Sequence, residues 1–267
     1  MNIAFIGGGN MAAALIGGIQ RAGAAHTISV LEIDAERGRQ FGAQFRVAAH
    51  DKAGAWLRDA QMIVLAVKPQ QMRSAVADIK PFIGRPLVLS IAAGVRASTL
   101  ARWLETDVIV RTMPNTPALI GAGVTGAAAL HGVTPEQRMA ADEILHAVGQ
   151  VVWFEDESML DPVVAVSGSG PAYVFFFIEA MQQAAQEMGL NAEQARSLAV
   201  QTFLGAAQLA AASPEPASVL RERVTSKGGT TAAALASFEA DGVKDAIARA
   251  LHAALARSKE LGDELDR

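Results

Sequence analysis

The 267-residue chain has no cysteine, which excludes disulfides, thiolate catalysis and cysteine-ligated metals. Aromatic residues are scarce, with one Tyr, three Trp and ten Phe. Set against abundant Ala and Gly, that scarcity favours close helix packing over a β-sandwich. No block of five Lys/Arg occurs and the formal net charge is −4, so neither a nucleic-acid footprint nor an anionic-membrane footprint is expected. His26, His50, His131, His146 and His252 show no i,i+3 or i,i+4 pairing, so no metal site and no histidine-based triad is expected. The first 20 residues are uncharged and mostly apolar, but glycines at 7, 8, 9, 17 and 18 break them and no basic segment precedes them. The weakly charged stretch 112–133 is interrupted by Pro114, Asn115, Pro117 and several glycines, unlike a membrane span. The expectation is a cytoplasmic protein with no membrane partner.

Hydrophobic residues make up 51% of the chain, enough for one large core or two modest ones. Short apolar runs at 3–6, 28–31, 62–67, 87–91 and 108–110 read as strands, and 10–22, 35–44 and 98–104 as helices. Such alternation predicts an α/β fold, a doubly wound parallel sheet with helices on both faces. Thr134-Pro135-Glu136 predicts a helix start, and 151–154 a last strand that closes this domain. From Asp161 onward the chain is Ala-rich and lacks strand alternation, with helices expected at 172–188, 192–211, 216–224 and 230–260. The expected organisation is an α/β domain over 1–158 and an all-α domain over 159–267. Helices this apolar would leave a large exposed patch in so small a bundle, which implies a homodimer through the helical domain.

Gly7-Gly8-Gly9-Asn10-Met11-Ala12 fits G-x-G-x-x-A between the first strand, ending at Ile6, and the first helix. Gly7 permits the tight turn, Gly9 lets the backbone approach a pyrophosphate, and Ala12 allows close helix–strand packing. The helix start offers free N–H groups and a positive dipole end to phosphates. Glu32 follows Ala12 by 20 residues, the position at which a carboxylate meets the ribose hydroxyls of a dinucleotide. Asp34 is the competing candidate. A carboxylate there repels a 2′-phosphate, so Glu32, followed by Ile33, leans toward NADH over NADPH. Arg37 and Arg39 stand on the next helix, within reach of a phosphate.

Three further segments end strands at the ligand-bearing edge of such a sheet: Leu65-Ala66-Val67-Lys68-Pro69-Gln70, Ser90-Ile91-Ala92-Ala93-Gly94 and Arg111-Thr112-Met113-Pro114-Asn115-Thr116-Pro117. The helical half carries Ser167-Gly168-Ser169-Gly170-Pro171-Ala172-Tyr173 and Val224-Thr225-Ser226-Lys227-Gly228-Gly229-Thr230-Thr231. In this order and spacing the strings closely resemble the pyrroline-5-carboxylate reductase family, over essentially the whole chain. The resemblance implies a Rossmann-type domain followed by a helical dimerisation domain that interleaves with a second subunit, with rings of dimers in many members. It implies NAD(P)H-dependent reduction of the cyclic imine 1-pyrroline-5-carboxylate to L-proline. Coenzyme contacts are then expected from Ile6, Gly7, Gly8, Gly9, Asn10, Met11, Glu32, Ala66, Val67, Lys68, Pro69, Ala92, Ala93, Gly94 and Asn115. Asn115 reads equally as a turn cap.

Imine reduction requires a hydride donor, a grip on the substrate carboxylate and a hydrogen-bond donor at the imine nitrogen. Gly228, Gly229, Thr230 and Thr231 open a helix whose N–H groups can grip a carboxylate, and the Ser226 hydroxyl adds a donor. The proton-donor threonine that the resemblance implies maps to Thr231. A threonine hydroxyl is a poor acid, so the iminium form or water is expected to supply the proton. The Ser167–Pro171 run serves equally as a small-residue helix start or a site contact, and Tyr173, beside Phe175 to Phe177, reads as core. Three departures stand out: Glu32-Ile33 where Asn-Arg is frequent, Ala53 where an asparagine is frequent, and Lys227 where proline is commoner. Lys227 either aids anion binding or points to solvent. Two alternatives remain, a hydroxy-acid dehydrogenase using Lys227 or Lys244, and a non-catalytic NAD(P)-binding protein.

Overall fold

The computed structural model describes residues 1–266. Contacts divide the chain into two units, residues 1–169 together with those from Ala254 onward, and Gly170–Ala253. Residues 159–169 and the end of the last helix thus group with the sheet, where the sequence expectation assigned them to the helical domain.

The first unit is built on strands β1 (Asn2–Ile6), β2 (Thr27–Leu31), β3 (Ala48–His50), β4 (Met62–Leu65), β5 (Leu87–Ser90), β6 (Ile109–Met113), β7 (Gly123–Ala129) and β8 (Gly149–Phe154). They form one sheet in the order β3-β2-β1-β4-β5-β6-β7-β8. Pairing is parallel except between β6 and β7, which is antiparallel. The connecting helices are α1 (Asn10–Arg21), α2 (Ala35–Phe45), α3 (Met72–Ile79), α4 (Ala97–Leu104) and α5 (Pro135–His146), followed by α6 (Leu160–Val163), which runs into a wider turn over Val164–Gly168.

Side-chain alternation in the central strands feeds two cores. Ile3 and Phe5 of β1 and Met62 and Val64 of β4 face a cluster with Leu15, Ile16 and Ile19 of α1. Ala4, Ile6, Ile63 and Leu65 face the other, with Met72, Val76 and Ile79 of α3 and Leu100 of α4. These strands are buried on both faces, which is why they read as continuous apolar runs. The chain steps from β1 out through β2 and β3 and returns to β4 on the far side of β1. A crevice therefore opens at the carboxyl ends of β1 and β4. The expected cap at Thr134 is present as a reciprocal capping box with Gln137.

The second unit holds α7 (Gly170–Glu187), α8 (Ala192–Ala212), α9 (Ala217–Arg223), α10 (Thr230–Ala240) and the start of α11 (Val243–Leu265). The expected single helix over 230–260 is two, because Gly242 breaks it at φ +63°. No residue of α7 or α10 is buried, and α8 buries only Ala195 and Ala199. Phe175, Phe176, Leu198, Leu209 and Phe238 are exposed. A groove of about 610 Å³ between α7, α10 and α11 is lined by Phe176, Phe177, Met181, Phe238 and Ile247. Tyr173, expected in a core, is half-buried at this groove. By length and composition the helical stretch Glu157–Glu187, which contains an 18-residue window of mean hydropathy 1.5, is long and apolar enough to cross a membrane.

Candidate active site

The glycine turn stands at the crevice. Gly7 adopts φ +103°, a region open to glycine and strained for other residues. A Cβ on Gly7 would lie 2.9 Å from the Ala66 carbonyl oxygen and 3.0 Å from Val67 Cγ1. The turn thus lies flat on the end of β4, and the Gly7 N–H donates to the Leu31 carbonyl at 2.8 Å. Gly9 precedes α1 in extended backbone, with no side-chain cap on the helix.

Glu32 directly follows β2 and is only 8% exposed. Its carboxylate accepts from the Gly8 N–H at 3.2 Å and the Asp34 N–H at 3.1 Å. Two of about four lone-pair sites are then used, leaving acceptor capacity toward a ligand. Arg37 Nη2 lies 3.7 Å from Glu32 Oε2. Asp34, the competing candidate, instead caps α2 by accepting from Glu36 and Arg37 N–H groups. Ile33 is 74% exposed and also lines the cleft.

Together Ile6, Gly7, Gly8, Gly9, Glu32, Ala66, Val67 and Lys68 line one cleft of about 330 Å³. Asn10 and Met11 begin α1 just beyond it, and Pro69 opens the short turn ahead of α3. A dinucleotide fits this donor set: bare helix-start N–H groups for phosphate, and a fixed carboxylate one turn away for ribose hydroxyls. Gln71, Ser74 and Asp78 complete the wall, and sequence reasoning did not name them. All stand on or just before α3, a helix the strand-by-strand reading passed over.

Ala92, Ala93 and Gly94 follow the neighbouring strand β5 and do not line the cleft. Asn115 is 8% exposed, and its carboxamide is engaged at both ends. Its Oδ1 accepts from Val124 N–H at 2.9 Å and its Nδ2 donates to the Ser167 carbonyl at 3.1 Å. Asn115 therefore ties the β6 exit to β7 and to the turn before α7. Arg111, first of that string, is also structural: Nη1 meets Glu157 Oε1 at 2.8 Å, and the same oxygen accepts from the Ala97 N–H at 2.7 Å. Gly168 lets the chain pass Met113, whose Cε would stand 2.7 Å from a Cβ there. Ala53, at the second departure, packs on the second core cluster.

In the helical unit, Gly228 takes φ +71° and Gly229 leads into α10. The Gly229 N–H donates to the Ser226 carbonyl at 3.1 Å, and the first intrahelical bond runs from Ala233 to Gly229. Thr230, Thr231 and Ala232 N–H groups therefore have no intrahelical acceptor, and no side chain caps them. A Cβ on Gly229 would stand 2.5 Å from Ser226 Oγ, so the hydroxyl sits directly beside the helix tip. Lys227 is exposed. Among the described residues no cluster of three or more His, Asp or Glu could hold a metal ion.

Residues 157–261 match the family model described as pyrroline-5-carboxylate reductase dimerisation. Residues 2–94 match the model described as NADP oxidoreductase coenzyme F420-dependent. The pyrroline-5-carboxylate reductase of Pseudomonas aeruginosa is 43% identical, covering 98% of this chain and 97% of that protein. That of Haemophilus influenzae is 42% identical, covering 97% of each. Among solved structures, the pyrroline-5-carboxylate reductase of Coxiella burnetii superposes with TM-score 0.91 at 38% identity, covering 97% of this chain and 98% of that one. The Plasmodium falciparum pyrroline carboxylate reductase with NADP bound superposes with TM-score 0.87 at 29% identity, covering 98% of each. The chain belongs to the pyrroline-5-carboxylate reductase family.

Proposed function

We propose that the chain reduces 1-pyrroline-5-carboxylate to L-proline with NAD(P)H, the glycine turn holding the coenzyme and the tip of α10 holding the substrate. The observation that carries the substrate half is the uncapped helix start at Thr230–Ala232 beside the Ser226 hydroxyl. Free N–H groups and the positive end of the helix dipole suit a carboxylate. The Thr231 hydroxyl meets the ring nitrogen and orients the imine, donating to the neutral imine or accepting from the N–H of the iminium form, and the iminium form or water brings the proton. When bound, the nicotinamide supplies a hydride to the imine carbon. The protein's contribution is then mainly positioning, which alone can lower a barrier greatly. Neither a metal nor a covalent nucleophile is required.

Gly8, Gly9, Asn10 and Met11 offer backbone to the pyrophosphate, and Ala66 to Pro69 with Ala92 to Gly94 frame the nicotinamide side. Glu32 accepts from the ribose hydroxyls and opposes a 2′-phosphate, so NADH is the better coenzyme. Arg37 pulls the other way, since its guanidinium stands at the same rim.

The exposed faces of α7, α8 and α10 are covered by a second copy, giving a homodimer through the helical unit that assembles further into a ring of dimers. The same contact accounts for the apolar stretch Glu157–Glu187 without a lipid bilayer, and the reaction is assigned to the cytoplasm.

Thr231→Ala tests the assignment. The expected loss in kcat is about 10- to 100-fold, the worth of one hydrogen bond to a charged centre, with coenzyme affinity unchanged. Wild-type turnover by this variant removes Thr231 from its role.

A further inference from the structure

The loop that follows β5 is held from behind by the end of α11. A Cβ on Gly94 (φ +79°) would lie 3.1 Å from Leu265 Cδ1 and 3.6 Å from Leu261 Cβ. Leu265 packs on the cluster that contains Ala92, Val95, Ala97 and Leu100. Gly262 is buried, and a Cβ on it would stand 3.3 Å from Arg96 Nε, so the guanidinium lies across the bare helix face. Polar contacts fix the same junction. Arg96 Nη2 donates to Asp263 and its Nη1 lies 3.6 Å from Asp266 Oδ2. Arg102 Nη2 reaches Asp266 Oδ1 at 2.8 Å and its carbonyl at 3.3 Å. Thr99 Oγ1 donates to Asp266 Oδ1. The Thr99 hydroxyl, then Arg102, holds the Asp266 carboxyl below its ordinary range. One turn earlier, Ser258 Oγ donates to Asp161 at 2.8 Å.

These contacts exceed what an amphipathic helix end needs. α4 follows the loop directly, and both its first turn and the loop glycine rest on residues 261–266. We infer that the last two turns of α11 are a positioning clamp for the loop Ala92–Gly94, with Leu265 and Asp266 as the positioning residues. The inference rests on that loop framing the coenzyme. Released from Leu265 and Asp266, the loop samples positions away from the coenzyme. Affinity for the coenzyme then falls while the α10 tip is untouched.

The test compares Leu265→Ala, Asp266→Asn and Ala93→Val for NADH affinity by fluorescence titration, for KM of both substrates, and for thermal midpoint. Leu265→Ala and Asp266→Asn should each weaken NADH binding about 3- to 10-fold, the scale of one ordinary hydrogen bond or one buried methylene. The imine KM should stay within about twofold, a split that a general loss of stability does not produce. Asp266→Asn keeps an acceptor for Thr99, so it reports even if Leu265→Ala fails to fold. Weakened binding by Ala93→Val with wild-type binding by the other two overturns the clamp and leaves the loop's role standing. Unchanged binding by Ala93→Val shows that the loop does not meet the coenzyme, and overturns both.

Discussion

Gly9→Ala separates a ligand-imposed glycine from a fold-imposed one. Gly9 has φ −80° and ψ −179°, extended backbone that alanine adopts freely. A Cβ there meets only the Ala66 carbonyl oxygen, at 4.0 Å, an ordinary contact. Replacing glycine by alanine at a helix N-cap costs about 0.5–1 kcal/mol, and the stiffer unfolded chain returns about 0.4–1 kcal/mol. Net stability should therefore move by less than about 0.5 kcal/mol, within the range of ordinary surface changes. The new methyl instead stands where a pyrophosphate must approach the backbone. Overpacking costs about 1–3 kcal/mol, or roughly 5- to 150-fold in coenzyme affinity. Gly7→Ala is the counterpart. Its φ of +103° and the 2.9 Å approach to Ala66 combine strain of about 1–2 kcal/mol with overpacking of about 1–3 kcal/mol, so the fold itself loses stability. Urea unfolding and NADH titration on both variants read the two effects. Wild-type affinity in Gly9→Ala, or a loss of binding matched by a loss of stability, refutes the placement of the pyrophosphate over Gly9.

Three further outcomes are expected. Glu32→Gln removes the negative charge but keeps an acceptor for the Gly8 N–H, so kcat/KM should shift from NADH toward NADPH by about tenfold, the worth of one pairwise charge interaction near a surface; an unchanged ratio removes Glu32 as the selector. Glu157→Ala strips Arg111, only 5% exposed, of its partner and should cost about 3–5 kcal/mol in urea unfolding; a loss under about 1 kcal/mol, the range of a surface ion pair, contradicts a buried pair. Sedimentation equilibrium should find no monomer at micromolar concentration, and a stable monomer leaves the α7 face without its cover.

The sheet was legible because β1, β4 and β5 are buried on both faces and carry uninterrupted apolar runs. Strand β7 was not, since Gly123–Ala129 holds five Gly or Ala residues and reads as loop. Its smallness has a packing cause: a Cβ on Gly126 would come within 2.8 Å of Val163, so α6 excludes the bulky residues that mark strands. Strand β3 is three residues long at the sheet edge, too short to show alternation. The glycine turn and Glu32 could be placed together because their spacing is fixed by one strand–helix–strand unit. Asn115 could not be resolved between ligand and turn, because its partners, Val124 and Ser167, are distant in sequence. The grouping of residues 254–266 with the sheet was hidden for the same reason, in a helix whose Ala-rich pattern runs on without a break.

The most direct measurement supplies purified protein with NADH or NADPH and 1-pyrroline-5-carboxylate, following coenzyme oxidation and L-proline together. Proline should form one for one with coenzyme consumed, faster with NADH. Coenzyme that binds tightly yet yields no proline would contradict the pairing of the glycine turn with the α10 tip in one reaction.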